Sequence, residues 1–146
     1  MEITQERIAE MCKERGCMSY NHIRLKKWEK DRAVVDLYVT EDNLNYHGIT
    51  HGGVLFTMAD CVAGIAAFTD GNPYVTISSS FNYLRGSKLG EHLEAVGVIR
   101  RRGRNTCYGE VEITSRSTKK LLATGSFTYY RVNQDASPSE PTPAIP

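Results

Sequence analysis

Apolar and polar positions repeat with two different periods along this chain, and the switches between them mark its elements. Over residues 4–15 the apolar residues Ile8, Met11 and Cys12 stand at i, i+3 and i+4, the spacing of one helix face. Thr4 can cap the start of that helix and Gly16 can end it. The period then drops to two. Residues 22–29 and 32–40 read as strands joined by a tight charged turn at Lys30 and Asp31, and in the second Val35, Leu37 and Val39 share a face. A polar loop dotted with aromatics covers residues 41–50.

The stretch 52–69 obeys neither pattern. It is 18 residues long with Asp60 as its one charge, too long for a strand, and Asp70-Gly71-Asn72-Pro73 stops it. A membrane span takes about 20 apolar residues, and an acid at its centre costs roughly 2.5–3.5 kcal/mol. The stretch is also rich in Ala and Gly rather than Leu. It is therefore expected to be a helix buried inside a soluble protein.

Four more strands are expected at 74–84, His92–Arg102, 105–115 and 121–132. Strict alternation in the first puts Val75, Ile77, Phe81 and Tyr83 on one face and Thr76, Ser78, Ser80 and Asn82 on the other. The second groups Leu93, Ala95 and Ile99, the third Cys107, Val111 and Ile113. Short connections make the last three antiparallel neighbours. The order α-β-β-α-β-β-β-β predicts an α+β fold, a strongly curved antiparallel sheet wrapped around a central buried helix. Six strands cannot fully enclose a helix, so a second subunit is expected to complete the cover.

Composition narrows the function. The 146 residues make one domain, expected over 1–133, with residues 134–146 a disordered tail that holds four of the five prolines. Lys plus Arg is 18 against 17 Asp plus Glu, so no basic excess points to nucleic acid. Cys12, Cys17, Cys61 and Cys107 form no C-x-x-C pair, so no metal site is expected and reduced, mostly buried thiols are. The start Met1-Glu2-Ile3-Thr4 is not a signal sequence, so a cytoplasmic location is expected.

Asp60 sits in mid-helix between Ala59 and Cys61. A carboxylate there is costly unless it is hydrogen-bonded or faces a wet cleft. Taken alone, it serves equally as a structural bond to a facing strand or as a chemical group. The helix begins His51-Gly52-Gly53. Two glycines leave backbone N–H groups uncovered at the positive end of the dipole, where an anion or oxyanion can sit. A plain tight turn needs the same glycines.

The spacing is more specific than either part. Asn45-x-x-Gly48-x-x-His51-Gly52-Gly53, six residues, then Asp60, resembles the signature of hotdog-fold acyl-CoA thioesterases of the phenylacetic-acid-degradation (PaaI-like) type. Leu89-Gly90-Glu91 is also similar. The resemblance spans residues 43–132. It implies a hotdog fold and hydrolysis of an acyl- or aryl-CoA to free acid and CoA, without metal or redox cofactor. Asp60 then corresponds to the catalytic carboxylate, nucleophile or general base. The Gly53 N–H corresponds to the oxyanion donor, Asn45 and His51 to residues that shape and polarise the pocket, and Thr76 to a hydroxyl that positions water or the carboxylate. CoA phosphates need cations. Arg100, Arg101, Arg102 and Arg104 form one cluster, with Arg101 expected opposite Arg100 and Arg102, and Arg85, Lys88, Arg116, Lys119 and Lys120 are further candidates. Tyr74, Phe81 and Tyr83 suit an acyl pocket or plain core packing.

Two rivals share the fold, a non-catalytic acyl-CoA sensor and an acyl hydratase or dehydratase. A sensor has no use for a carboxylate at the thioester, and the hydratases resemble a different pattern. Gly53 and Asp60 are seven residues apart, about 10.5 Å along a helix. One helix can hardly bring both to one carbonyl. A homodimer is therefore the expected minimum unit, with a dimer of dimers the open alternative.

Overall fold

A computed structural model describes residues 5–11 and 16–133. Helices α1 (Gln5–Met11) and α2 (Cys17–Tyr20) precede strands β1 (Arg24–Glu29) and β2 (Arg32–Tyr38). A 3-10 turn (Glu41–Asn43) leads into α3 (Gly52–Phe68). Strands β3 (Tyr74–Tyr83), β4 (His92–Arg102), β5 (Thr106–Ser115) and β6 (Leu121–Arg131) complete the set.

All six strands join one antiparallel sheet in the order β1-β2-β4-β5-β6-β3. The β4-β5-β6 meander is as expected; β3 crosses to the far edge beside β6. The sheet curls around α3, which packs against every strand. This is the expected hotdog arrangement. Alternation drives it: Leu93, Ala95, Gly97 and Ile99 of β4 and Cys107, Gly109, Val111 and Ile113 of β5 all turn inward and are buried. Met58, Ala59, Val62, Ala63, Ala66 and Ala67 of α3 meet them with no exposed surface. Each large side chain so buried contributes roughly 1.5–3 kcal/mol. Small residues let the helix approach closely. A Cβ on Gly97 would lie 2.9 Å from the Val62 carbonyl carbon and oxygen.

One stripe of α3 is only partly covered by the sheet. Gly53, Thr57, Asp60 and Gly64 follow one another at i+4, i+3 and i+4 along one face, and none of them is buried.

Several expectations change in detail. Gly16 stands at the N-cap of α2, a single turn that no periodicity announces. Thr4, residues 12–15 and the tail 134–146 lie outside the described residues. β1 starts two residues late because His22 takes a φ of 63°. Of the described cysteines only Cys107 is buried, whereas Cys17 is exposed and Cys61 half-buried. Among the described residues no helix is long and apolar enough to cross a membrane.

Two bulges revise the strand faces. In β3 the register shifts between Thr76 and Ser78, with Thr76 opposite Tyr129 and Phe81 opposite Gly125. Directly opposed residues share a face, so the extra residue Ile77 turns Thr76, Phe81 and Tyr83 all inward. Val75 and Ile77 face outward instead, 47% and 56% exposed. In β4 the shift lies between Ile99 and Arg101, placing Arg102 opposite buried Cys107 and Arg101 opposite Tyr108. Arg102 therefore leaves the side of Arg100 for the inner face.

The Gly97 contact is a backbone contact and cannot yield by rotamer change. Gly97→Ala is expected to lower unfolding free energy by about 1–3 kcal/mol, read as a shifted urea midpoint at constant slope. Ala95 and Ile99 flank it on the same face and already carry side chains.

Candidate functional site

The exposed stripe of α3 carries the acid. Asp60 Oδ1 accepts the Thr76 hydroxyl at 2.7 Å and the Tyr129 hydroxyl at 3.1 Å. Tyr129 also lies 2.9 Å from the Asp60 carbonyl oxygen, so its one proton is shared. Burial first, and then the charge of Asp60, push the Tyr129 phenol far above its ordinary pKa. It stays a donor at every working pH. Two hydroxyls from neighbouring strands thus fix one carboxylate oxygen. Among the described residues none bonds Oδ2. Asp60 lines a cavity of about 350 Å³ with Thr76 and Tyr129, continuing along Gly64, Ile65 and Phe68 of α3 to Cys17 and Met18 of α2.

The start of α3 is built from the preceding loop. Buried Asn43 holds it: its carbonyl accepts from His51 N at 2.8 Å, its Oδ1 from Thr40 N, and its Nδ2 donates to the Asn21 carbonyl. Asn45 Oδ1 accepts from His47 N and Ile49 N, folding the loop over Gly48 at a φ of 78°. Its Nδ2 has no acceptor among the described residues. The Tyr83 hydroxyl donates to the Gly52 carbonyl at 3.0 Å.

Here the geometry departs from the expectation of uncovered N–H groups. The Gly53 N–H donates to His51 Nδ1 at 2.8 Å, with His51 acting as N-cap. The donor exists, but the imidazole occupies it and must turn away before an oxyanion can be bound. Asp60 and Gly53 also stand two turns apart on the same helix, so one chain does not bring them to one point.

The cations divide between the ends of α3. Arg85 lies just past β3, its N–H bonded to the Leu122 carbonyl, at the end where α3 begins. Arg100 to Arg104 lie at the β4-β5 turn, where α3 finishes. Arg100 pairs with Glu110 on the outer face, and Arg104 is exposed. Arg102 is committed elsewhere. Its guanidinium bonds Asp31, Asp70, the Tyr74 hydroxyl and the carbonyls of Ala66 and Ala67, tying the β1-β2 turn to the end of α3. No donor is left for a phosphate, so the expected pairing of Arg102 with CoA gives way to a structural role.

Sequence reasoning missed Tyr129 and Asn43. Tyr129 occupies an ordinary inward strand position, and only the bulge at Ile77 sets it opposite Thr76. It also missed a second acid, Asp36, which has no exposed surface. It sits on the outer sheet face, held by Arg24 at 3.0 Å and His92 at 2.7 Å. Burial works against its charge, but the bonds from Arg24 and His92 prevail and keep its pKa below the ordinary carboxylate value. Among the described residues no cluster of His, Cys, Asp or Glu could hold a metal ion.

Known proteins share this fold. The thioesterase superfamily profile matches residues 47–122, more than half of the chain. Acyl-coenzyme A thioesterase PaaI of Escherichia coli is 29% identical over 106 residues, 73% of this chain and 76% of that protein. The structure of E. coli PaaI superposes with a TM-score of 0.83 at 26% identity, covering 88% of this chain and 92% of that one. Human acyl-coenzyme A thioesterase 13 is 27% identical over 70% of this chain and 74% of its own. A Streptococcus pneumoniae thioesterase protein crystallised with coenzyme A superposes at 0.73 with 34% identity, covering 77% of this chain and 90% of that one. Crystal structures of that protein also exist with an aspartate, and with a threonine sixteen positions later, replaced by alanine. Asp60 and Thr76 stand at the same separation here.

The assignment of the Arg cluster is testable by stability alone. Arg102→Met strands Asp31 and Asp70 and is expected to cost roughly 2–3 kcal/mol. Arg104→Met should stay within about 0.5 kcal/mol of the parent. Chemical denaturation of both variants in parallel provides the check.

Proposed function

The chain belongs to the thioesterase superfamily and is a thioester hydrolase, and on that premise we propose that it cleaves an acyl- or aryl-CoA to the free acid and CoA through Asp60. The observation that carries this reading is the Asp60 carboxylate, fixed by Thr76 and Tyr129 on one oxygen and lining an otherwise largely apolar cavity. A structural acid would be satisfied on both oxygens. A sensor would gain nothing from desolvating one.

In the proposed reaction Asp60 either removes a proton from water as the water attacks the thioester carbonyl, or attacks the carbonyl itself. The negative charge that develops on the carbonyl oxygen is met by the Gly53 N–H once His51 has turned aside. Asn45, with its free Nδ2, shapes the loop beside it. The CoA thiolate leaves and is protonated to the thiol, and on the route where Asp60 itself attacks, water then hydrolyses the acyl–Asp60 anhydride to release the acid and restore the carboxylate. No metal or redox cofactor takes part.

Two copies of the chain are needed to assemble this site. β3 is an edge strand of ten residues with exposed Val75 and Ile77, a form that invites pairing with another strand. Two antiparallel α3 helices side by side set Asp60 of one copy against Gly53 of the other. They also bring Arg85 of one copy to the end that carries Arg100 and Arg104 of the other. These three are the proposed phosphate contacts. A homodimer is then the minimum active unit.

Asp60→Asn is expected to retain the fold and lose about 10²-fold or more of thiol release from acyl-CoA. Near-parental turnover would end the reading. Thr76→Ala, which frees Asp60 without removing it, should lose less, on the order of tenfold. The shared site has its own test. Gly53→Val crowds the His51 ring, since even a Cβ there would sit 3.0 Å from its Nδ1. Co-refolded Gly53→Val and Asp60→Asn should give about half heterodimers, each with one intact site, and so regain about a quarter of parental activity. Heterodimers demonstrated by mass but still inactive would rule the shared site out.

A further inference from the structure

The cavity beside Asp60 does not stop at the carboxylate. It runs along the next two turns of α3, past Gly64 and Phe68, and meets Cys17 and Met18 of α2. Gly64 is what keeps it open. A Cβ there would be 3.7 Å from the Tyr129 ring, ordinary contact distance, so a methyl group fits but a larger side chain fills the passage. Met18 is 7% exposed and belongs to the core. It is a fixed surface rather than a swinging one.

We propose that this passage is the acyl chamber, that α2 is its end wall, and that Gly64 and Met18 set the length of acyl group accepted. The proposal rests on the hydrolase reading above and adds a substrate class to it. From Asp60 to Phe68 is eight residues, about 12 Å of helix. An extended chain advances about 1.2 Å per bond, so the passage holds an acyl chain of roughly ten carbons. The lining is apolar and aromatic beyond Thr76, and among the described residues that form it there is no cation for a second carboxylate. Medium-chain monoacyl groups, or aryl groups of the same length, are therefore the class it takes. A hexadecanoyl chain would have to pass through α2.

The experiment measures kcat/KM for butanoyl-, octanoyl- and hexadecanoyl-CoA, together with Kd for their non-hydrolysable thioether analogues. The parent protein should favour octanoyl over hexadecanoyl by about tenfold or more in both readouts. Gly64→Leu should depress octanoyl-CoA about tenfold more than it depresses butanoyl-CoA. Met18→Ala should narrow the gap between octanoyl and hexadecanoyl. Its melting temperature is taken alongside, and if it does not fold, Gly64→Leu decides the matter. Equal use of all three chains by the parent, or a uniform loss across chains in Gly64→Leu, overturns the chamber and leaves hydrolysis standing. No thiol release from any of the three overturns both.

Discussion

Everything in this molecule follows from one burial problem, an almost wholly apolar helix of seventeen residues and a sheet just too narrow to surround it. The driving force for burying α3 scales with the apolar area it hides. The sheet answers by curling until β2, β4, β5 and β6 have closed on it, with Gly97 and the alanines removing the last obstacles to contact. What remains is a partly covered strip, Gly53, Thr57, Asp60 and Gly64. The site is thus the seam of the fold. A carboxylate is tolerated at the centre of an apolar helix because that turn borders a cavity and two strand hydroxyls reach it.

The seam also explains how the acid is held. Its neighbours come from the two strands at that edge of the sheet, β6 through Tyr129 and β3 through Thr76. Hydroxyls suit the place. They orient a carboxylate without neutralising it, whereas an arginine there would bind it as a salt bridge and suppress its basicity. The cations stand at the ends of α3, where the charge they could meet is far from the reacting carbon.

Much of this was legible in the amino-acid sequence. The length of α3, the bounds of β4 and the coincidence of Asn45, Gly48, His51, Gly52, Gly53 and Asp60 are local patterns, and local patterns survive folding. What was not legible were the two bulges, because one extra residue inverts every face beyond it. At Ile77 the inversion brings Thr76 to Asp60 while keeping Phe81 and Tyr83 inside. At Arg100 it sends Arg102 inward, to serve Asp31 and Asp70. Asp36 was hidden for another reason. Its polar position in an alternating strand reads as solvent-facing, and Arg24 and Lys26 of β1 and His92 of β4, distant in the chain, enclose it. α2, with four residues, is below the length at which any period can be seen.

The hydrogen bond from Gly53 to His51 makes the resting site an exchange device rather than an open receptor. A substrate that takes this N–H does not gain a bond outright; it displaces an imidazole that already had one. Against a neutral thioester carbonyl the trade is close to even, because one neutral acceptor replaces another. Against the oxyanion of the proposed reaction it is not, since charge-assisted bonds are about twice as strong as neutral ones. The competition from His51 is thereby a filter on charge. It takes the same amount from what the bound substrate and the activated complex draw on that donor, and so leaves unchanged the difference between them, on which rate acceleration depends.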